Sequence, residues 1–191
     1  MGQRLYLDNA ATSFPKPPEV FEAMQSYAQE IGASAGRGAY REAVETGRIV
    51  SDCRRGLARL IGASRPEEIV FTHNCSAALN QAIKGLLVQG DHVVATTMEH
   101  NSVLRPLAGL TAEGKITTTY VDVDASTGLV RPSDILSALR PETRLVCVVH
   151  GSNVTGAVQP IEEIGPELRR RGVLLLVDAA QTAGHLPLDV Q

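Results

Sequence analysis

The sequence predicts an α/β fold with a mostly parallel central sheet and helices on both faces. Three observations predict it. Apolar, β-branched runs recur at about 68–72, 92–97, 116–123, 144–150 and 173–179, with helical candidates between them at 76–89, 102–113, 132–140 and 161–171. The runs begin 24 to 29 residues apart, the length of a strand–helix–strand unit rather than of a solenoid repeat. The runs at 144–149 and 173–177 are continuously apolar, as strands covered on both faces are.

The elements follow in chain order. Residues 1–15 read as an extended arm. Leu5, Tyr6 and Leu7 make a short apolar run, then Asp8-Asn9 and Pro15-Lys16-Pro17-Pro18 break regular structure. A helix is predicted over 18–30, with Val20, Met24, Tyr27 and Ile31 at helical spacing. Its prolines fall in the first turn, where a missing N–H costs nothing. Residues 32–38 are a loop of Gly, Ala, Ser and Arg. A second helix over 40–61 puts Val44, Val50, Cys53, Leu57, Leu60 and Ile61 on one face, and Gly62 ends it. The chain thus divides into an arm, helix and loop over 1–38 and an alternating α/β region over 39–191.

Composition narrows the function. The formal net charge is −3, so no basic footprint points to nucleic acid. Aromatic residues are only 4% and Trp is absent, which argues against a base-stacking surface. No apolar run approaches a membrane span, and the first residues hold no apolar core of a signal peptide. Met1-Gly2 invites a myristoylation reading, but Tyr6 stands where Ser or Thr is expected. Three cysteines, Cys53, Cys75 and Cys147, form no disulfide framework and fit a reducing compartment. His73 and Cys75 are the one close pair of soft ligands, short of the four that a structural zinc needs. The expectation is a soluble, cytoplasmic chain with no metal, no membrane and no nucleic-acid partner.

Ligands of such sheets gather beyond the carboxyl ends of the strands. After 68–72 come His73-Asn74-Cys75-Ser76 and a helix start, the make-up of an anion site. Ser76 there either adds a hydroxyl to that site or serves as the helix N-cap. After 92–97 come Met98-Glu99-His100-Asn101-Ser102. His100 reads as a base, a stacking ring or a satisfied loop residue. After 144–149 comes His150-Gly151-Ser152-Asn153, where Asn153 either brings an amide to the strand ends or closes a turn. Asp178 directly follows five aliphatic residues. Buried without a partner, a carboxylate there costs several kcal/mol, so a cationic partner is expected. Polar groups at four strand ends suit a heteroaromatic phosphate ligand better than four unrelated turns. Neither a Walker loop nor G-x-G-x-x-G occurs.

In order and spacing, these residues resemble the cysteine desulfurase branch of the class V aminotransferases, pyridoxal-phosphate enzymes of fold type I. The likeness runs from Leu5 to Val190. It is carried by Tyr6-Leu-Asp-Asn-Ala-Ala-Thr-Ser-Phe-Pro-Lys-Pro17, Gly36-Arg-Gly38, Phe71-Thr-His-Asn-Cys-Ser-Ala-Ala-Leu-Asn80 and Met98-Glu-His-Asn-Ser-Val103. Ser152-Asn-Val-Thr-Gly156 and Leu176-Val-Asp-Ala-Ala-Gln-Thr-Ala-Gly184 complete it.

The resemblance implies the large domain of that fold, incomplete at its C-terminal end, and pyridoxal 5'-phosphate as cofactor. It implies that Cys75 and Ser76 lie in the phosphate loop and that His100 stacks on the pyridine ring and shuttles protons. Asn153 and Gln181 would meet the phenolic oxygen, Asp178 would pair with the ring nitrogen, and Asn9, Ala10, Ala11 and Thr12 would border the substrate pocket. The implied reaction takes L-cysteine to L-alanine and passes sulfur to an enzyme cysteine. A selenocysteine lyase, an epimerase or another class V lyase would share the same cofactor positions. A homodimer and a sulfur-acceptor protein are the implied partners. Two residues depart from the usual pattern: Cys75, where Ala or Thr is usual, and Ala77, where Glu is usual. The lysine that bonds the cofactor, the sulfur-accepting cysteine and the carboxylate-binding arginine belong beyond Gln191. Of the lysines present, Lys16, Lys84 and Lys115, Lys84 and Lys115 read as solvated surface charges, and none of the three has the required context. The chain alone is therefore expected to be inactive; the alternative of a different class is a non-catalytic fragment or pseudoenzyme that binds the cofactor or a partner chain.

Overall fold

The computed structural model describes residues 5–191, so the start of the predicted arm and the Met1-Gly2 pair lie outside the described residues. The chain forms two compact units, Phe71–Leu186 and the remainder, Met1–Val70 with Pro187–Gln191.

The Phe71–Leu186 unit is built on a parallel four-stranded sheet of order β2-β1-β3-β4. The strands are β1 (His92–Thr96), β2 (Thr117–Val121), β3 (Thr143–Val149) and β4 (Leu174–Asp178). Helices α3 (Cys75–Leu86), α4 (Asn101–Ala112), α5 (Pro132–Ser137) and α6 (Ile161–Arg170) alternate with them. Successive strand side chains point to opposite faces, so β1 and β3 feed two cores. Val93, Ala95, Leu145 and Cys147 meet Leu79 and Ile83 of α3 and Val103 and Leu107 of α4. Val94, Val146 and Val148 meet Ile135 of α5 and Ile164 and Leu168 of α6. Helices therefore cover both faces, as the sequence predicts.

Two strand readings need correction. The run at 68–72 is not a strand of the sheet: Pro66–Glu68 forms a 3-10 turn, and 69–72 lies outside the ladders. β-branched residues favour extended backbone, but a strand also needs a neighbour in register. The run at 173–177 is not covered on both faces either. β4 is an edge strand, half-buried from Leu175 to Val177 with Leu174 exposed.

In the other unit, α1 (Pro18–Ser26) starts on its proline and continues into a π turn, Tyr27–Ile31, that ends at Gly32 in the left-handed region. Helix α2 spans Arg41–Leu60. Gly62 takes φ +69°, and the Ala63 N–H turns back to the Ala58 carbonyl at 2.9 Å, closing the helix as the sequence predicts. The predicted apolar stripe of α2 is only half on its packed face: Val50, Leu57 and Ile61 are half-buried, whereas Val44, Cys53 and Leu60 are exposed, and the fully buried residues are Ala43, Thr46 and Ala58. Small residues allow the close approach, and half of the stripe's larger side chains stay outside it.

In the arm, the Tyr6 hydroxyl donates to the Asp8 and Thr12 carbonyls at 3.0 and 2.9 Å. The Asn9 side chain accepts the Phe14 N–H at 3.1 Å, so 8–12 form an exposed, self-bonded turn.

Candidate functional site

From β1 the chain passes to β2 on one side and then returns to β3 on the other. The strand order reverses between β1 and β3, which makes the crevice beyond their carboxyl ends the place where a ligand is expected. The residues after β1, β3 and β4 and the start of α3 supply it with side chains.

Helix α3 begins after the extended 69–72 segment. Its N-cap is Asn74, whose side chain accepts the Ala77 N–H at 2.8 Å. The capping reading of Ser76 therefore falls away. Asn74 meets one orphan donor and leaves the first N–H groups, at Cys75 and Ser76, outside the helix ladder, at the positive end of the dipole.

Ser76 and Cys75 then reach in two directions. The Ser76 hydroxyl lies 2.6 Å from that of Ser102, which lies 2.9 Å from Nδ1 of His100. His100 is itself the N-cap of α4, its Nδ1 accepting the Ser102 N–H at 3.1 Å. Ser76, His100 and Ser102 line one end of a cleft of about 630 Å³ between α3 and α4, with Lys84 and Arg105 further along it. In the other direction, the Cys75 thiol donates to Oδ1 of Asp178 at 3.6 Å. Burial, then the neighbouring Asp178 carboxylate, push the thiol up to about 11. Cys75 is thus a protonated donor and not a nucleophile at neutral pH.

Asp178 is 4% exposed at the end of β4, and the Ala180 N–H also donates to its Oδ1, at 3.1 Å. Among the described residues it forms no ion pair. The cationic partner expected from the sequence is not one of them. After β3, Gly151 packs so tightly on the β4 turn that a Cβ would stand 2.6 Å from Thr182 Cγ2, with Gln181 next to it. His150 Nδ1 lies 2.9 Å from the Thr182 hydroxyl, and burial lowers that imidazole's pKa. Asn153 is exposed in a turn that the Ser152 hydroxyl stabilises by accepting the Val154 and Thr155 N–H groups, each at 3.2 Å.

The geometry therefore joins His100, Ser76, Cys75 and Asp178 through two consecutive residues of α3. Gln181 packs with the β3 turn, and Asn153 stands on the next turn of that loop. Asn9, Ala10, Ala11 and Thr12 lie in the arm, in the other unit. Lys84 lies in the last turn of α3, roughly 12 Å along the axis from Ser76. Lys115 precedes β2 at the opposite, amino edge of the sheet. The sequence reading gave no role to Ser102, which joins Ser76 to His100, to His150 and Thr182, which join the β3 end to the β4 turn, or to Glu99, which bonds Thr96 and Val149. Glu99 is 5% exposed, and burial and the nearby Asp178 push its carboxyl up to about 7 against the bonds from Thr96 and Val149.

These residues fit a ligand with an anionic group and a protonated aromatic nitrogen. The start of α3 offers N–H groups and a hydroxyl to an anion. Asp178 is a buried carboxylate without a cation among the described residues. Among the described residues, no three His, Cys, Asp or Glu side chains gather as a metal site, and no helix is long and apolar enough to cross a membrane.

Comparison with known proteins shows the family. The family model described as aminotransferase class-V matches residues 5–191. A probable cysteine desulfurase of Methanothermobacter thermautotrophicus is 42% identical over 188 residues, covering 98% of this chain and 46% of that protein. The apo structure of a cysteine desulfurase from Thermococcus onnurineus superposes with a TM-score of 0.88 at 35% identity, covering 96% of this chain and 46% of the other. A structure of SspA in complex with cysteine gives a TM-score of 0.87 at 33% identity, with 97% and 53% covered. The chain spans about half the length of the relatives it matches.

Proposed function

The chain belongs to the class-V aminotransferase family, and from that premise we propose that it is the N-terminal portion of a pyridoxal-phosphate enzyme of the cysteine desulfurase type. The reaction is conversion of L-cysteine to L-alanine with transfer of sulfur to an enzyme cysteine, in the cytoplasm, by a homodimer that passes the sulfur to an acceptor protein. When bound, the cofactor supplies an electron sink for chemistry at the amino acid's α carbon.

The residues divide the work. The N–H groups of Cys75 and Ser76 and the Ser76 hydroxyl hold the phosphate. Asp178 would keep a proton on the ring nitrogen, and the resulting cation would supply the countercharge that the burial of Asp178 demands. His100, oriented by Ser102, stacks on the ring and moves protons through Nε2. The amides of Asn153 and Gln181 donate to the phenolic oxygen. Asn9, Ala10, Ala11 and Thr12 border the substrate. Neither lysine of the Phe71–Leu186 unit, Lys84 or Lys115, stands at Asp178, and on the family resemblance none of the chain's lysines has the context of the cofactor-bonding one, so the chain by itself would bind the cofactor without a covalent bond and release no alanine from cysteine.

The observation that carries this reading is Asp178, a buried carboxylate at the ligand edge of the sheet with a thiol and a main-chain N–H for partners and no cation among the described residues. Titration of the purified chain with pyridoxal phosphate and with pyridoxal tests it. Saturable binding that needs the phosphate, weakened at least about tenfold in Asp178→Ala, is expected. Binding unchanged in that variant, or a stoichiometric borohydride-reducible adduct with alanine release from cysteine, overturns it.

A further inference from the structure

β1 stops at Thr96, whereas β3 runs on to Val149. The His150 N–H donates to the Asp178 carbonyl at 2.9 Å on the β4 side, so the preceding N–H, that of Val149, faces the β1 side beyond the end of β1. Glu99 takes the place of the missing strand. Its Oε1 accepts the Val149 N–H at 2.9 Å and the Thr96 hydroxyl at 2.7 Å. Its Oε2 is buried without a hydrogen-bond partner. Two donors on one oxygen and none on the other is a poor setting for an anion, whose second oxygen would lose its hydration uncompensated. It suits a carboxylic acid with its O–H on the second oxygen. The titratable groups facing Glu99 are Asp178 from β4 and the Cys147 thiol from β3, and neither supplies a cation.

We infer that Glu99 is a positioning residue that holds a proton at Oε2: neutral, it ties the carboxyl ends of β1 and β3 at the point where the strand order reverses and leaves Asp178 the one carboxylate charge there. The role of Asp178 in that statement rests on the cofactor reading above; the tie and the proton do not. The burial that pushes this carboxyl up to about 7 agrees with the geometry.

Urea unfolding of the cofactor-free chain and of Glu99→Gln, from pH 4.5 to 8.5, tests it. Gln keeps the acceptor and places N–H where the O–H stood, so the two proteins should match within a few-fold in unfolding constant at pH 5. Between about 4.5 and 7 the unfolded chain gives up a proton that the folded parent keeps, so the parent's unfolding constant should climb over that range relative to the variant's, on the order of a hundredfold in all, and level off above 7. Parallel profiles overturn the assignment. If Glu99→Gln does not fold, carboxyl-carbon NMR of the parent decides: one glutamate titrating near 7 supports the proton, and all glutamates titrating in the ordinary range overturn it. Pyridoxal phosphate titration of the parent reads the other proposal separately. A chain that fails to bind yet keeps such a glutamate refutes the cofactor reading alone.

Discussion

Replacing Gln159 with leucine tests how the loop that presents Asn153 is held. The Gln159 side chain is fully buried, and it reaches the loop between β2 and α5. Its Oε1 accepts the Val130 N–H at 2.8 Å, and its Nε2 donates to the Gly128 carbonyl at 2.7 Å. Its own N–H donates to the His150 carbonyl at 2.8 Å, beside the antiparallel bridge between Gly151 and Val158. One residue thus joins the end of β3, the return limb of the Asn153 turn and the loop before α5. Leucine has a similar volume and keeps the main-chain bond, so the perturbation is the loss of two side-chain bonds. Val130 is 2% exposed, so no water replaces the donor's partner. The Val130 N–H and the Gly128 carbonyl are each left unpaired at ~1–3 kcal/mol, and the more apolar side chain recovers part of the sum, so the expected loss is about 2–4 kcal/mol. The assay is urea unfolding at pH 7, read as a lower midpoint with an unchanged slope. Amide exchange at Val130, quickened at least about tenfold, reports the same opening locally. A loss below about 1 kcal/mol with Val130 still protected would refute the reasoning.

Two further predictions concern titration. Cys53 and Cys75 are both exposed, yet at pH 8 Cys75 should alkylate more slowly, because desolvation of its thiol and then the Asp178 charge keep it protonated; Asp178→Asn should quicken Cys75 on the order of tenfold by removing the second of these, and an unchanged rate in that variant counts against the thiol–carboxylate pair. His92, fully buried between the hydroxyls of Thr143 and Thr119 at 2.8 and 2.9 Å, has its pKa lowered first by burial and then by Arg140, against Glu142. A base with a lowered folded pKa stabilises the fold above its unfolded value of 6.5 and loses that contribution as pH falls through the folded one. The parent should therefore lose more stability than His92→Gln between pH 7 and pH 5, and Glu99, common to both proteins, cancels in the difference. Equal losses sink the assignment.

Much of the site was legible because its residues sit where chain direction alone places them. Asp178 follows an aliphatic run, His100 follows the turn after β1, and Ser76 opens a helix. A parallel sheet puts all such positions on one edge, whatever the packing details. The continuous apolar runs were legible as strands for the same reason, but not their order. The 173–177 run is as apolar as a central strand and lies at the edge, and 68–72 is as β-branched as a strand and joins no ladder. A strand is defined by its neighbours, and a run carries no record of them. The stripe on α2 held only in part: helical spacing finds the largest side chains, whereas close approach selected Ala43 and Ala58.

Glu99 and Gln159 were invisible for a different reason. Each is a polar side chain that bonds main-chain groups of another segment: Gln159 bonds a loop, and the need for Glu99 arises only where two strands end at different levels. β1 has five residues and β3 seven, so the β3 N–H at Val149 faces beyond the end of its neighbour. No periodicity in the sequence encodes that mismatch. A glutamate three residues past Thr96, beside a histidine and an asparagine, reads as one more solvated turn residue. The same mismatch opens the crevice: were β1 as long as β3, its backbone would fill the space beyond Thr96 and supply the Val149 bond itself. The overhang of the longer strand thus requires a side chain to satisfy it, and Glu99 supplies that side chain. On the inference above, a neutral acid does so without adding charge beside Asp178, the residue proposed to face the ligand.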